Sequence, residues 1–322
     1  MNDRDKEGME ERMDGDQEKR KKKDMRGIIT ALASPFLQGE LDFVSFKKLL
    51  QFQVNQGIDG FVVNGTTAES PCLLPEEVEQ LFEWTKKEAK EAFLILGVGG
   101  NCTKNTLANI KKAEEWQADA VLAVVPYYNK PPQRGLIWHF KTLADKSQLP
   151  LFLYNVPART GVGLSLESIV ELSGHPNIKG IKEASGDKEL GRKIMEKTRK
   201  DFILLSGDDD TCFDLCALGA QGVVSVMSHI LGQEMKQLFK IIKRGEKGEQ
   251  ALKEYKDKYK ALLKRIYCES NPIGIKMALH LMGLFHSAEL RSPLLALSEL
   301  ETNKLKEEMQ RTRLLSEEKE NL

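Results

Sequence analysis

Residues 93–98 read Phe-Leu-Ile-Leu-Gly-Val, and residues 120–125 read Ala-Val-Leu-Ala-Val-Val. Both runs are apolar throughout, without the alternation of a strand that is wet on one face. Parallel strands buried on both faces have this character. The stretch between them, Thr103–Trp116, reads as a helix, so residues 93–125 form a strand–helix–strand unit. Further apolar runs of the same kind lie at Ile28–Ala33, Gly60–Val63, Leu151–Tyr154, Ile178–Ile181, Phe202–Leu205 and Gly222–Val226. Helical stretches such as Phe43–Gln56 and Pro75–Lys90 separate them, the second opening on Leu74-Pro75-Glu76-Glu77. Proline and acids suit the first turn of a helix. Eight such units in about 220 residues match the count and size of a closed (β/α)8 barrel. An open doubly wound sheet shares the alternation, but regular repetition of eight favours closure.

The barrel accounts for residues 26–245. Beyond it the strand pattern stops, and three helical stretches near 247–266, 272–284 and 297–313 make residues 246–322 an all-helical C-terminal extension. Leu300, Leu305, Met309 and Leu314 are spaced for one packed face there, read as cover for the core. Residues 1–25 alternate acids and bases, with the basic run Lys19–Lys23, and lack apolar periodicity. Such a segment buries too little surface to offset its ordering entropy, so a disordered tail is expected. With Met25 just before the first strand, a mis-assigned translation start is a second reading of it.

In the 322-residue chain, Lys and Arg total 48 and Asp and Glu total 48, so it carries no formal net charge. That balance gives no reason to expect nucleic acid or an anionic membrane as partner. No run approaches the ~18 apolar residues that span a bilayer, and no signal peptide is evident. The five scattered cysteines, 72, 102, 212, 216 and 268, read as reduced thiols, pointing to the cytoplasm. Cys212 and Cys216 share a helix face without a nearby histidine, so small apolar packing is the better reading than zinc.

Barrel enzymes carry their chemistry where strands end. Lys182 follows the run Ile178–Ile181, at the mouth of a low-dielectric interior. Desolvation there favours a neutral amine, the form that attacks a ketone carbonyl. A lysine reaching to solvent, or pairing with Glu183, fits the spacing equally. Tyr154 tips the balance, because a phenol ending the adjacent strand can donate to a carbinolamine and take the proton back. Thr66-Thr67 offers two hydroxyls for a carboxylate, or else an ST-turn. Arg159, beside Gly161, suits a bidentate carboxylate clamp. Gly97-Val98-Gly99-Gly100 lacks the third glycine of a dinucleotide fingerprint. Asp208, Asp209 and Asp210 read as first-turn acids of a helix rather than a Mg²⁺ site. The histidines at 139, 175, 229, 280 and 286 make no metal-ligand spacing.

Four segments taken together resemble the dihydrodipicolinate synthase family of pyruvate-dependent lyases and aldolases. They are Gly65–Ser70, Tyr127-Tyr128-Asn129-Lys130-Pro131, Tyr154–Gly161 and Ile181-Lys182-Glu183-Ala184, extended by Ser206-Gly207-Asp208-Asp209 and Asn271-Pro272-Ile273. The resemblance spans about residues 26–295. It implies condensation of pyruvate with L-aspartate 4-semialdehyde, in diaminopimelate and lysine biosynthesis, with no metal or organic cofactor. By it, Lys182 carries the pyruvate imine and Thr67 holds the pyruvate carboxylate. Tyr154, Thr66 and Tyr128 form a proton relay, Tyr128 reaching the neighbouring subunit's site. Arg159 receives the semialdehyde carboxylate, and Gly207 and Val224 line the pyruvate pocket through backbone. A homotetramer built as a dimer of dimers follows from the same likeness.

This chain departs from the family pattern at Ala68, where glycine is usual, and at Gly274, where a second proline is common. Feedback-sensitive members carry histidines and a glutamate in their lysine pocket, where this chain has Pro75, Val78 and Asn105. Ser70, Asn101 and Tyr127 remain. Loss of the carboxylate removes the partner of a lysine ammonium, so weak or absent lysine inhibition is expected. Two other readings stay open: a sister aldolase, such as N-acetylneuraminate lyase or a keto-deoxy-sugar-acid aldolase, and a non-catalytic barrel.

Overall fold

A computed structural model describes residues 23–245 and 248–316. The expected charged tail therefore lies outside the described residues, apart from its last three positions. Eight parallel strands close into a barrel: β1 (Gly27–Ala31), β4 (Gly60–Val63), β5 (Phe93–Gly97), β6 (Ala120–Val124), β7 (Leu151–Asn155), β8 (Ile178–Glu183), β9 (Ile203–Ser206) and β10 (Gly222–Ser225). Closure comes where β1 pairs with both β4 and β10. The sequence reading missed a short hairpin, β2 (Phe36–Leu37) with β3 (Glu40–Leu41). Strands of two residues are too short to show a period. Their turn instead announces itself through positive φ at Gln38 and Gly39.

Alternation along each strand divides the core in two. Ile29, Val62, Ile95, Leu122, Phe152, Leu205 and Val224 point inward and fill the barrel. Their neighbours Ile28, Phe61, Val63, Leu94, Leu96, Val121, Leu153, Ile181 and Leu204 point outward and meet the helices. Both faces are thus buried, which is why the runs are apolar without alternating. Helices Phe43–Asn55, Pro75–Glu88 and Thr103–Glu115 lie where the sequence placed them, each ending one or two residues early. At Gly180 an added Cβ would lie 2.2 Å from the Ile203 carbonyl and 2.7 Å from the Phe152 ring. The ring thus fills the space directly beneath the next inward residue on β8, Lys182.

Past residue 247 come helices Gly248–Ile266, Ile273–Leu281 and Glu299–Arg311. Tyr259, Leu262, Ile266, Leu305 and Met309 bury their side chains in the same core as the barrel helices, and Leu314 packs against it partly buried. Leu300 corrects the expected packed face, since it is 65% exposed. It sits in the first turn of its helix, on the side away from Leu305 and Met309. Among the described residues no helix is long and apolar enough to cross a membrane.

Candidate active site

Tyr154 on β7 and Lys182 on β8 are register partners in the parallel ladder, so both side chains leave the sheet on its inner face. The side-chain nitrogen of Lys182 lies 4.2 Å from the centroid of the Tyr154 ring. Both residues are nearly buried, at 6% and 7% exposure. Glu183, the next residue, points the other way. Its carboxylate accepts hydrogen bonds from Asn155 Nδ2 at 2.8 Å and from the Ser185 amide at 2.7 Å. Burial pushes the Glu183 carboxyl above its ordinary range. The pairing of Lys182 with Glu183 that the sequence left open is therefore not made, and the lysine stays inside the cavity instead of extending over the surface.

Gly207, just past β9, packs against the lysine stem. A Cβ there would sit 2.5 Å from Lys182 Cε and 2.8 Å from its Cγ. Only a residue without a side chain leaves the lysine in its present rotamer, and the Gly207 amide donates to the Glu183 carbonyl at 2.7 Å. Val224 closes the same side from β10, nearly fully buried.

The Thr66–Ala68 segment is a single 3-10 turn after β4, with Thr67 buried. It is held from behind. Glu69 takes a left-handed conformation (φ 58°), and its carboxylate accepts from Lys276 Nζ at 2.6 Å and from the Arg291 amide at 2.9 Å. Both members of the Glu69–Lys276 pair are completely buried, and Lys276 also lies over the Phe36 ring at 4.2 Å. Burial lowers the Lys276 ammonium to about 8. In front, Asn271 Nδ2 donates to Thr67 Oγ1 at 3.0 Å. The Thr67 hydroxyl proton is thereby left free to point away from Asn271. Arg159, exposed at the mouth, donates from Nη2 to the Asn271 carbonyl at 3.1 Å.

Lys182, Tyr154, Thr66, Thr67, Arg159, Gly207 and Val224 all line one cavity of about 630 Å³ at the C-terminal ends of the strands. The structure so brings together seven of the eight residues singled out in the sequence. Tyr128, the eighth, is 89% exposed with φ at 72° and does not line it. A second cavity of about 340 Å³ reaches the same Lys182–Tyr154 pair from the Tyr127 side. A smaller one of about 170 Å³ beside it is lined by Ser70, Pro75, Val78 and Lys112.

Two features escaped the sequence. Lys260, Leu263, Lys264, Tyr267 and Asn271 line the large cavity, so the C-terminal helices wall the site instead of merely covering the core. No pattern within that segment signals this, because it depends on where the extension folds back. The reading of the three aspartates also needs correction. Asp208 does accept from the Thr211 amide at 3.0 Å, near the start of helix Cys212–Leu218. Asp209 instead turns away from that helix, accepting from Ser225 Oγ, the Val226 and Met227 amides and the Tyr267 hydroxyl. Among the described residues no cluster of His, Cys, Asp and Glu is arranged for a metal.

Residues 24–312 match the dihydrodipicolinate synthetase family. The chain belongs to that family. It is 44% identical over 296 residues to the 4-hydroxy-tetrahydrodipicolinate synthase of Bdellovibrio bacteriovorus, covering 91% of this chain and all of the relative. Among solved structures, the Thermotoga maritima dihydrodipicolinate synthase superposes with a TM-score of 0.87 at 38% identity, covering 90% of this chain and 99% of that one. The chloride-inhibited Acinetobacter baumannii enzyme complexed with pyruvate gives 0.87 at 37% identity, covering 91% and 100%. A monomeric variant of dihydrodipicolinate synthase also superposes, at 0.86 and 37% identity, covering 90% and 97%.

Proposed function

We propose that this family member catalyses the 4-hydroxy-tetrahydrodipicolinate synthase reaction, condensing pyruvate with L-aspartate 4-semialdehyde through an imine on Lys182. The observation that carries this reading is the Lys182 nitrogen over the Tyr154 ring, inside a cavity shared with Thr67 and Arg159. The Lys182 amine adds to the pyruvate ketone, and loss of water leaves a protonated imine. That imine withdraws electrons and acidifies the methyl carbon, so a proton leaves and an enamine forms. The enamine carbon then attacks the aldehyde. Tyr154 gives a proton to the carbinolamine and takes it back, with Thr66 and a partner subunit's copy of Tyr128 completing the relay. Thr67 holds the pyruvate carboxylate, Arg159 that of the semialdehyde, and Gly207 and Val224 bound the pyruvate end.

The exposed, positive-φ Tyr128 supports a site completed by a second subunit, and we assign a homotetramer built as a dimer of dimers. We further assign the enzyme to the cytoplasm, and the division of the chain to a tail (1–25), a barrel (26–245) and an extension (246–322). Reduction with borohydride in the presence of pyruvate, followed by mass mapping, tests the central step. A pyruvate-derived adduct on Lys182 is expected. An unmodified Lys182 would sink both this reading and any sister aldolase activity.

A further inference from the structure

Asp209 is a half-buried carboxylate at the cavity that the proposed reaction does not use. Its Oδ1 accepts from Ser225 Oγ at 2.5 Å. Its Oδ2 accepts from the Val226 amide at 3.0 Å, the Met227 amide at 2.9 Å and the Tyr267 hydroxyl at 2.7 Å. These donors come from two distant segments. Ser225, Val226 and Met227 follow Val224 at the end of β10, whereas Tyr267 is the residue after helix Gly248–Ile266. Asp209 itself stands two residues past Gly207. One carboxylate therefore ties both loops of the pyruvate end to the first residue of the turn that leads to Asn271.

That turn ends at Asn271, whose Nδ2 reaches Thr67 and whose carbonyl receives Arg159. Asn271 Oδ1 is buried without a partner, so nothing on that atom fixes the side chain. Apart from the hydrogen bond to Thr67, its placement rests on the backbone of the turn, which leaves the helix at Tyr267. We infer that the Tyr267–Asp209 hydrogen bond is a latch that sets Asn271 against Thr67, making Asp209 and Tyr267 positioning residues for the pyruvate carboxylate. By accepting from Asn271, Thr67 Oγ1 keeps its own proton available for the substrate. A released latch loosens binding of pyruvate and leaves the chemistry at Lys182 in place. The inference rests on the assignment of Thr67 to that carboxylate.

The test is a double-mutant cycle of Tyr267→Phe and Asn271→Ala in the full chain, read as KM for pyruvate, kcat and thermal midpoint. Tyr267→Phe removes a single hydroxyl and leaves the three other donors to Asp209, so the fold is kept. KM for pyruvate is expected to rise about ten-fold, the scale of one hydrogen bond to a charged acceptor, with kcat within about two-fold. In the Asn271→Ala background the same change is expected to add nothing. Additive effects, or an unchanged KM in Tyr267→Phe, would overturn the latch. A separate variant, Thr67→Val, reads the assignment beneath it: an unchanged KM there defeats that assignment, while the cycle still reports on the coupling of Tyr267 to Asn271.

Discussion

Lys182 and Tyr154 face each other across adjacent parallel strands, the amine 4.2 Å from the ring centroid and both side chains nearly buried. Register fixes this relationship, so it does not depend on a loop. Removing the Tyr154 hydroxyl takes away the proton donor and leaves the ring that packs beside the amine. Tyr154→Phe is expected to lower kcat about 10²- to 10⁴-fold, the range for a positioned acid–base group, with little change in thermal midpoint. Steady-state kinetics checks it, and a kcat within a factor of three of the parent would remove Tyr154 from the relay.

Gly207 provides a steric test of the same amine. A methyl group there meets Lys182 Cε and Cγ within 2.8 Å and the Ala184 Cβ at 3.0 Å. The flexible lysine yields first, leaving its productive rotamer. Gly207→Ala is expected to cost about 100-fold in kcat/KM, the penalty for misplacing a catalytic group by about 1 Å. Stability should fall by only ~1–3 kcal/mol. Borohydride trapping of pyruvate at the parent rate would show that the amine had not moved.

Behind the Thr66–Ala68 turn, the buried Glu69–Lys276 pair has no solvent to replace either partner. Lys276→Met strands the Glu69 carboxylate, with only the Arg291 amide still donating to it. A loss of about 3–5 kcal/mol is expected in urea unfolding, with part of it restored when Glu69→Leu is added to make the site apolar. If the single variant is as stable as the parent, the pair holds no part of this turn in place.

Two buried histidines predict the acid limb of stability. Burial lowers both His139 and His229 from the ordinary 6.5 to about 4. His229 is held neutral, since its Nε2 accepts from the Ala33 amide and its Nδ1 lies 2.8 Å from the Val226 carbonyl. Below pH 6.5 the unfolded chain takes up protons that the folded chain refuses. Stability is therefore full above 6.5 and falls as pH drops toward 4, by up to about 3 kcal/mol per histidine at 1.36 kcal/mol per unit. Urea titrations at pH 7, 6 and 5 measure the slope, and His139→Gln should flatten it. A constant free energy across that window would contradict the assignment.

Lysine feedback is expected to be weak or absent. In the cavity of about 170 Å³ formed by Ser70, Pro75, Val78 and Lys112, no acidic side chain lines the wall, and Lys112 adds a like charge. An L-lysine ammonium finds no carboxylate there. Initial-rate assays with millimolar lysine should show near-full activity, and a micromolar inhibition constant would reverse this view.

The sequence by itself carried the barrel, because eight runs with both faces buried are mostly apolar and do not alternate, and that pattern needs no partner to be read. It also pointed to the strand-end residues Lys182, Tyr154, Thr66, Thr67 and Arg159, displayed next to their apolar runs, while Gly207 and Val224 came from the family resemblance alone. Tertiary structure decided what depends on distant segments meeting. Whether Lys182 paired with Glu183 turned on the strand running on through both residues, since consecutive side chains within β8 leave on opposite faces. Asp209 looked like a helix-capping acid beside Asp208 and Asp210, yet its partners lie at Ser225–Met227 and Tyr267. Asn271 reaches Thr67 only because the extension folds back across the barrel mouth. Local pattern encodes what a residue's neighbours in the chain require, whereas a contact across some 200 residues exists only once the chain has closed.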